Sequence, residues 1–392
     1  MAAGNASLML VWERRTSESG VTTPKPMTPL AAIRRFAARS WFAATARRKF
    51  FFQDQHLSLV GGTDWLDRAT AFGPDLIVVH YTSCFVSSAD VAALHRATGA
   101  RVAWNLLDMA HLTGGCHYAW GCPGYRSACG GCPALPMRPR KDQSARVMAQ
   151  KAEALAAMDH VVVAASAQLI QQARSSSLFR DSDIRKIFIG IDPAEFPFRP
   201  RAEARVELGV EPAGTVLFVG ASSLNERRKG LIELREALRL CRERLDPGDA
   251  PPLILVAGTK AGARFFEDTG FPVRWLGYVS RQMLAVAYAA ADFLICPSLE
   301  DSGPMMVNEA MMAGTPVIGF AVGVVPDLVL PGKTGVIADA KTSPALAEAL
   351  QAGLRWSAQH RDIARQECRA LVLRELALSE QVAGFLSLAE AS

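Results

Sequence analysis

The chain has 392 residues, of which 50% are hydrophobic and 21% charged, with a formal net charge of +5. That length supports two domains, and the composition excludes wholesale disorder, a collagen-like repeat and a disulfide scaffold. The longest uncharged apolar run late in the chain, Ala310 to Pro326, is broken by Gly314, Pro316, Gly319 and Gly323 and makes a poor transmembrane helix.

Met1 to Ser7 is small and neutral, without the charged and apolar regions of a secretory signal, so a cytoplasmic location is expected. The positive charge is local. Residues 1 to 54 carry nine Lys/Arg against three Asp/Glu, a surplus of +6, which leaves the remainder at −1. Between Pro29 and Asp54, Arg34, Arg35, Arg39, Arg47, Arg48 and Lys49 interleave with Phe36, Trp41, Phe42, Phe50, Phe51 and Phe52. The pattern suits either peripheral contact with an anionic membrane or an amphipathic helix packed on its own domain with a solvated basic face. No nucleic-acid motif accompanies it, and nucleic acid is not an expected partner.

Short apolar runs then alternate with helical stretches. Asp75–His80, Arg101–Trp104, His160–Val163 and Ile187–Ile189 read as strands of a first unit, and the proline-rich stretch Asp192–Pro200 reads as a linker. Thr215–Val219, Leu253–Ala257, Val273–Leu276, Phe293–Cys296, Val317–Ile318 and Gly335–Ala338 read as strands of a second unit, with helices such as Leu231–Leu245 between them. Strands apolar on both faces that alternate with helices indicate buried parallel sheets. The expected fold class is α/β, with Rossmann-like domains at 1–195 and 196–375, a C-terminal helix at 376–392, and ligands at the carboxyl ends of the strands.

Four of the eight cysteines crowd into one loop, Cys116, Cys122, Cys129 and Cys132, spaced C-x5-C-x6-C-x2-C. The last pair, with its glycines, is the compact half of a zinc knuckle, whereas the first half is irregular. In a reducing compartment, structural Zn²⁺ or four reduced thiols are the two options.

The most informative stretch runs from Cys296 to Val317, CPSLEDSGPMMVNEAMMAGTPV. A strand ends at Pro297, a polar loop follows, Pro304 suits a first helical turn, and Gly314 suits the position just past the helix end. The amides of Met305 and Met306 would then present the positive end of a short helix to an anion, as phosphate sites do. Asp301 and Glu309 bracket these amides, and two carboxylates beside a phosphate site suggest sugar hydroxyls as partners. Upstream, Arg227, Arg228 and Lys229 precede a helix, where positive charge is unfavourable unless an anion is bound.

These residues resemble glycosyltransferase family 4, retaining enzymes of the GT-B fold that use nucleotide-diphosphate sugars. Asp301 and Glu309 have the family's spacing of two acids, with Asp in place of the more usual first Glu. The stretch Phe218–Gly230 is similar to the family's strand and basic loop, although Ala221 follows Gly220 where an Arg is usual. Gly323–Asp327 and Pro331–Gly335 resemble its closing loops. Asp108–Tyr118, continuing to Cys129–Pro133, is similar to a subgroup acting in surface-polysaccharide synthesis.

The resemblance spans roughly residues 57 to 338 and implies two domains facing across a cleft. It implies Gly220, Arg228, Lys229 and the Met305 and Met306 amides at the donor diphosphate, Glu309 at the donor ribose and Asp301 at the transferred sugar. Asp108 and His111 would lie near the acceptor or transferred sugar; the family's His before this Asp is Leu107 here, and His111 is the candidate substitute. The family's first strand and Gly-rich loop are not found ahead of Ser7–Val11, so the N-terminal domain is expected to lack that unit. The implied function is transfer of a sugar from a nucleotide-diphosphate sugar to a saccharide or lipid-linked saccharide, with retention and no catalytic metal. The rivals are a GT-B protein that binds nucleotide or sugar without transfer, and a sugar-nucleotide epimerase on the same fold.

Overall fold

The computed structural model describes residues 64–390 apart from positions 84, 212, 222–225, 247, 249 and 259–264. In the first 63 residues it describes only 6–11, 20–23, 29–30, 33, 36–37, 40 and 48–53. Most of the basic and aromatic segment 29–54, including Arg34, Arg35, Arg39, Trp41, Phe42 and Arg47, therefore lies outside the described residues, as do residues 222–225 of the basic loop. No helix among the described residues is long and apolar enough to cross a membrane.

The chain divides into two compact units. The first comprises 1–164, 169–186 and 386–392, and the second 165–168 and 187–385. In the first, β1 (Met9–Leu10) and β2 (Val21–Thr22) form a small parallel pair, and α1 (Asp64–Phe72) precedes a four-stranded parallel sheet. Its strands are β3 (Leu76–Val79), β4 (Arg101–Leu106), β5 (His160–Ala164) and β6 (Asp183–Lys186), side by side in chain order. The connecting helices are α2 (Ser88–Thr98), α3 (Gln143–Ala156) and α4 (Ala167–Ser175).

Local chemistry explains these boundaries. Ser87 and Asp90 form a reciprocal capping box at the start of α2, and Gly99 ends it at φ 72°, a left-handed conformation that glycine adopts without steric penalty. In β5, three successive valines are fully buried, as expected of a strand covered on both faces. The strand expected at Ile187–Ile189 lies instead at Asp183–Lys186. As the edge strand it pairs only with β5, and its mostly exposed Asp, Arg and Lys give no apolar signal.

The second unit holds a six-stranded parallel sheet in the order β12-β11-β10-β7-β8-β9. These strands are β7 (Val216–Ala221), β8 (Leu253–Gly258), β9 (Val273–Gly277), β10 (Phe293–Cys296), β11 (Val317–Phe320) and β12 (Gly335–Ala338). In chain order the helices are α5 (Arg201–Leu208), α6 (Leu231–Glu243), α7 (Arg281–Ala290), α8 (Met305–Met312), α9 (Val325–Leu328), α10 (Ser343–Leu354), α11 (Ala358–Leu376) and α12 (Leu378–Glu390). The chain builds outward from β7 through β8 and β9, then returns to place β10 on the other side of β7. That reversal leaves a crevice at the carboxyl ends of β7 and β10, the place where open α/β sheets take ligands.

Phe218, Phe293 and Leu294 on the two central strands are fully buried, as are Tyr288 on α7 and Val307 and Met311 on α8. Each such aliphatic or Phe side chain contributes about 1.5–3 kcal/mol on burial, so the crevice sits on a stiff base.

Candidate active site

The donor-side residues expected from the sequence gather in the second unit, at the carboxyl ends of β7 and β10. Arg227–Lys229 forms one turn of 3₁₀ helix that ends at Gly230, with φ 66°. A Cβ at Gly230 would stand 1.7 Å from the Pro297 carbonyl oxygen, so only glycine lets the basic turn dock against the end of β10. The dock is completed by the Leu299 amide, which donates to the Arg228 carbonyl at 2.7 Å. Gly220 is seated beneath Met306, whose Cε and Sδ occupy the space a side chain there would need.

Asp301 joins these pieces. Its Oδ2 accepts from Arg228 Nη1 at 2.9 Å and from Lys229 Nζ at 2.7 Å, and its Oδ1 accepts from the amides of Ser302 at 3.0 Å and Gly303 at 3.4 Å. Both carboxylate oxygens of the acid expected to orient sugar hydroxyls are thus engaged by cations and loop amides. The same loop is braced within the unit: Ser166 Oγ donates to the Ser302 carbonyl, and Gln168 Nε2 donates to the Asp301 carbonyl while its Oε1 accepts from the Gly323 amide.

Pro304 stands just before α8, and the Val307 amide donates back to the Pro304 carbonyl at 2.9 Å. The Met305 and Met306 amides precede it and lack an acceptor among the described residues, leaving the positive end of the helix available to an anion. Glu309 follows on the second turn of α8, half-buried, and accepts from the Tyr288 hydroxyl at 2.9 Å. Burial raises its pKa above the usual carboxylate range, against the lowering effects of the Tyr288 hydrogen bond and the Arg281 charge. Tyr288 carries no sequence signal beyond that of a core aromatic in an alanine-rich helix.

Asp108, His111 and the four cysteines belong to the first unit. Asp108 follows β4, accepting from the Ala110 amide at 2.7 Å through Oδ1 and bonding His117 Nδ1 at 2.6 Å through Oδ2. His117 extends this line toward Ser83 Oγ at 3.3 Å. His111 instead points inward: its Nε2 donates to the His80 carbonyl at 2.7 Å, and its ring meets Trp104 edge-on. Burial, reinforced by the nearby Lys151 charge, lowers its pKa to about 4 and keeps it neutral. Asp108 is therefore paired with His117, while His111, expected near the acceptor or transferred sugar, is turned into the core. Lys151 supports the intervening turn, donating from Nζ to the Ala110 and Thr113 carbonyls at 2.7 Å each, and burial lowers its pKa to about 7.

The four cysteines are close neighbours, and none is in a disulfide. The Cys116 thiol is hydrogen-bonded to Cys132, Cys129 accepts from the Gly114 amide, and Cys122 and Cys129 both approach Gly124. Soft, partly buried donors with amide partners suit zinc chemically. Among the described residues, however, no three Cys, His, Asp or Glu side chains are disposed to hold a metal ion.

Residues 213–355, most of the second unit and all of its basic and acidic loops, match the family model described as glycosyl transferases group 1. The D-inositol 3-phosphate glycosyltransferase of Mycobacterium sp. (strain KMS) is 33% identical over 161 residues, 40% of this chain and 36% of that protein. Its counterpart in Mycobacterium leprae (strain TN) is 32% identical over 202 residues, 50% of this chain and 47% of that protein. The chain thus spans less than half the length of these relatives.

Among solved structures, sucrose-phosphate synthase from Thermosynechococcus elongatus aligns with a TM-score of 0.59 at 21% identity, over 84% of this chain and 76% of that one. Anabaena Alr3699/HepE, determined in complex with UDP and glucose, aligns with a TM-score of 0.58 at 16% identity, over 95% and 84%. The chain has the α/β, GT-B-like fold of glycosyltransferases, with parallel sheets in both units.

Proposed function

We propose that this chain is a glycosyltransferase that moves a sugar from a nucleotide-diphosphate sugar to a saccharide or lipid-linked saccharide, with retention at the anomeric carbon. The observation that carries the reading is the convergence of Arg228, Lys229 and the Met305 and Met306 amides on the crevice between β7 and β10, inside the segment that matches the family model. A departing nucleoside diphosphate develops negative charge at its leaving oxygen. Cations and amides fixed in advance around it lower the barrier without reorganising at the moment of bond breaking. In this reading the acceptor hydroxyl approaches the anomeric carbon on the face from which the diphosphate departs; its oxygen bonds to that carbon, its proton passes to the departing diphosphate oxygen, and the electron pair of the broken carbon–oxygen bond leaves on the diphosphate.

The relatives support the donor class. HepE was solved with UDP and with UDP-glucose, and the mycobacterial proteins are named for transfer to an inositol phosphate. A cytoplasmic setting, and contact with an anionic membrane through 29–54, belong to the same proposal and rest on the basic and aromatic interleaving of that segment. Calorimetric titration with UDP, GDP and ADP tests the donor site. One nucleotide is expected to bind at micromolar concentration and the others much more weakly; failure of all three would remove the reading.

We also propose that Cys116, Cys122, Cys129 and Cys132 hold a structural zinc ion, which would order the loop after Asp108 and take no part in the reaction. Support comes from their spacing, with the compact Cys129–Cys132 pair as half of a knuckle. Elemental analysis of purified protein is expected to find about one zinc per chain, with these thiols slow to react until the metal is chelated. Zinc-free protein with four freely titratable thiols would assign the cluster to packing alone.

A further inference from the structure

Tyr288 is fully buried on α7, and each part of it is fixed. Its ring lies 5.1 Å from the Phe218 ring in an edge-on contact and 6.0 Å from Phe196, and its carbonyl accepts from Thr315 Oγ1 at 2.7 Å. The hydroxyl is the one polar atom of the side chain, and it donates to Glu309 Oε2 at 2.9 Å. The other carboxylate oxygen of Glu309 has no hydrogen-bond partner among the described residues.

A carboxylate has about four acceptor sites. With one taken by a donor that cannot move, the plane and rotation of the Glu309 carboxylate are set before any ligand arrives. The remaining acceptor sites are left for an incoming ligand, and a carboxylate can accept from both hydroxyls of a vicinal diol. Arg281 and Glu195, themselves paired at 2.8 Å, are the other charged groups that act on Glu309, and they act in opposite directions, Arg281 lowering its pKa and Glu195 raising it.

We propose that Tyr288 is the positioning residue that holds Glu309 as the reader of a ribose cis-diol, so that selection of ribonucleotides over 2′-deoxyribonucleotides depends on a buried tyrosine out of the ligand's reach. The inference rests on the donor reading above and adds the group that gives Glu309 its direction. A site built to receive hydroxyls rejects an analogue lacking one far more strongly than an apolar pocket can, and it does so only while its acceptor is held in place.

The test is calorimetric titration of wild type and Tyr288→Phe with UDP and 2′-deoxy-UDP, or with the corresponding pair for whichever base binds. Wild type is expected to favour the ribonucleotide by about tenfold or more. Tyr288→Phe fills the same volume and removes only the hydroxyl; it is expected to lose about five- to tenfold in affinity for the ribonucleotide and less than twofold for the deoxy form. A second readout separates positioning from damage to the core. Without the Tyr288 donor, Glu309 takes up its proton at higher pH, so the acid loss of ribonucleotide binding moves upward in Tyr288→Phe while the deoxy profile stays in place. Equal loss for both nucleotides, or unchanged ribonucleotide affinity and pH profile, overturns the role of Tyr288 and leaves the donor site standing. Wild type that binds no nucleotide overturns the donor reading and this inference together.

Discussion

Replacing Lys229 with alanine is expected to weaken nucleoside diphosphate binding by about tenfold to a hundredfold, the range for losing one charge-assisted hydrogen bond to phosphate. The loss is bounded from above because Lys229 is not waiting idle: it is bonded to Asp301, and an incoming diphosphate must share or take that cation. It is limited further because Arg228, held by Glu226 and Asp301, remains. The variant should also show a shallower dependence of affinity on salt, since a screened positive charge has been removed. Melting temperature should change little, because Lys229 is partly exposed and the buried Asp301 keeps Arg228 and the Ser302 and Gly303 amides as partners. Calorimetry at two salt concentrations reads both quantities. Lys229→Ala with wild-type affinity and salt dependence would place the diphosphate elsewhere.

The sheets were legible in the sequence because parallel strands buried on both faces must be apolar throughout. Phe293–Cys296 and Gly335–Ala338 have the bounds that their composition implies. The edge strand Asp183–Lys186 was not legible, because an edge needs charge rather than apolar surface. At the site, residues close in sequence were readable. Pro304 and Gly314 punctuate α8, and Asp301 and Glu309 are placed by one loop and one helix. The docking of the basic turn on Pro297, and with it the engagement of Asp301 by Arg228 and Lys229, depends on a meeting some seventy residues apart that no local pattern encodes. Which histidine meets Asp108 was hidden for the same kind of reason. Both lie within ten residues of Asp108, and only the turn held by Lys151 decides which ring faces the carboxylate and which faces Trp104. Tyr288 was hidden more thoroughly, because its hydroxyl does the positioning while its ring has the burial and spacing of any core aromatic.

Asp292→Ala is expected to destabilise the second unit by about 3–5 kcal/mol, the cost of breaking a buried ion pair from one side. Asp292 is 1% exposed at the start of β10, where Oδ2 accepts from Arg205 Nη2 at 2.7 Å and from the Val216 amide at 2.8 Å, while Oδ1 lies 3.0 Å from Arg201 Nη1 and 3.6 Å from Arg361 Nη1. Arg205 is itself buried, and burial lowers its pKa. Without Asp292, the buried Arg205 guanidinium would lose its carboxylate partner beside Arg201, which would keep only Asp362, and the first amide of β7 would lose its acceptor. Because 1 kcal/mol corresponds to about 2–4 °C for a unit of this size, the melting temperature should fall by about 6–20 °C. Replacing the charges together, as Asp292→Leu with Arg205→Met, should recover much of the loss, because it is the stranded charge rather than the missing attraction that carries the cost. Thermal denaturation of the single and double variants measures both effects. A fall of less than 2 °C in Asp292→Ala, or a double variant less stable than the single one, would mean that solvent reaches these groups and that the charge cluster does not anchor β10 to α5 and α11. Nucleotide affinity measured well below the melting transition should stay within about twofold of wild type, since Asp292 lies at the amino end of β10 and the crevice at its carboxyl end.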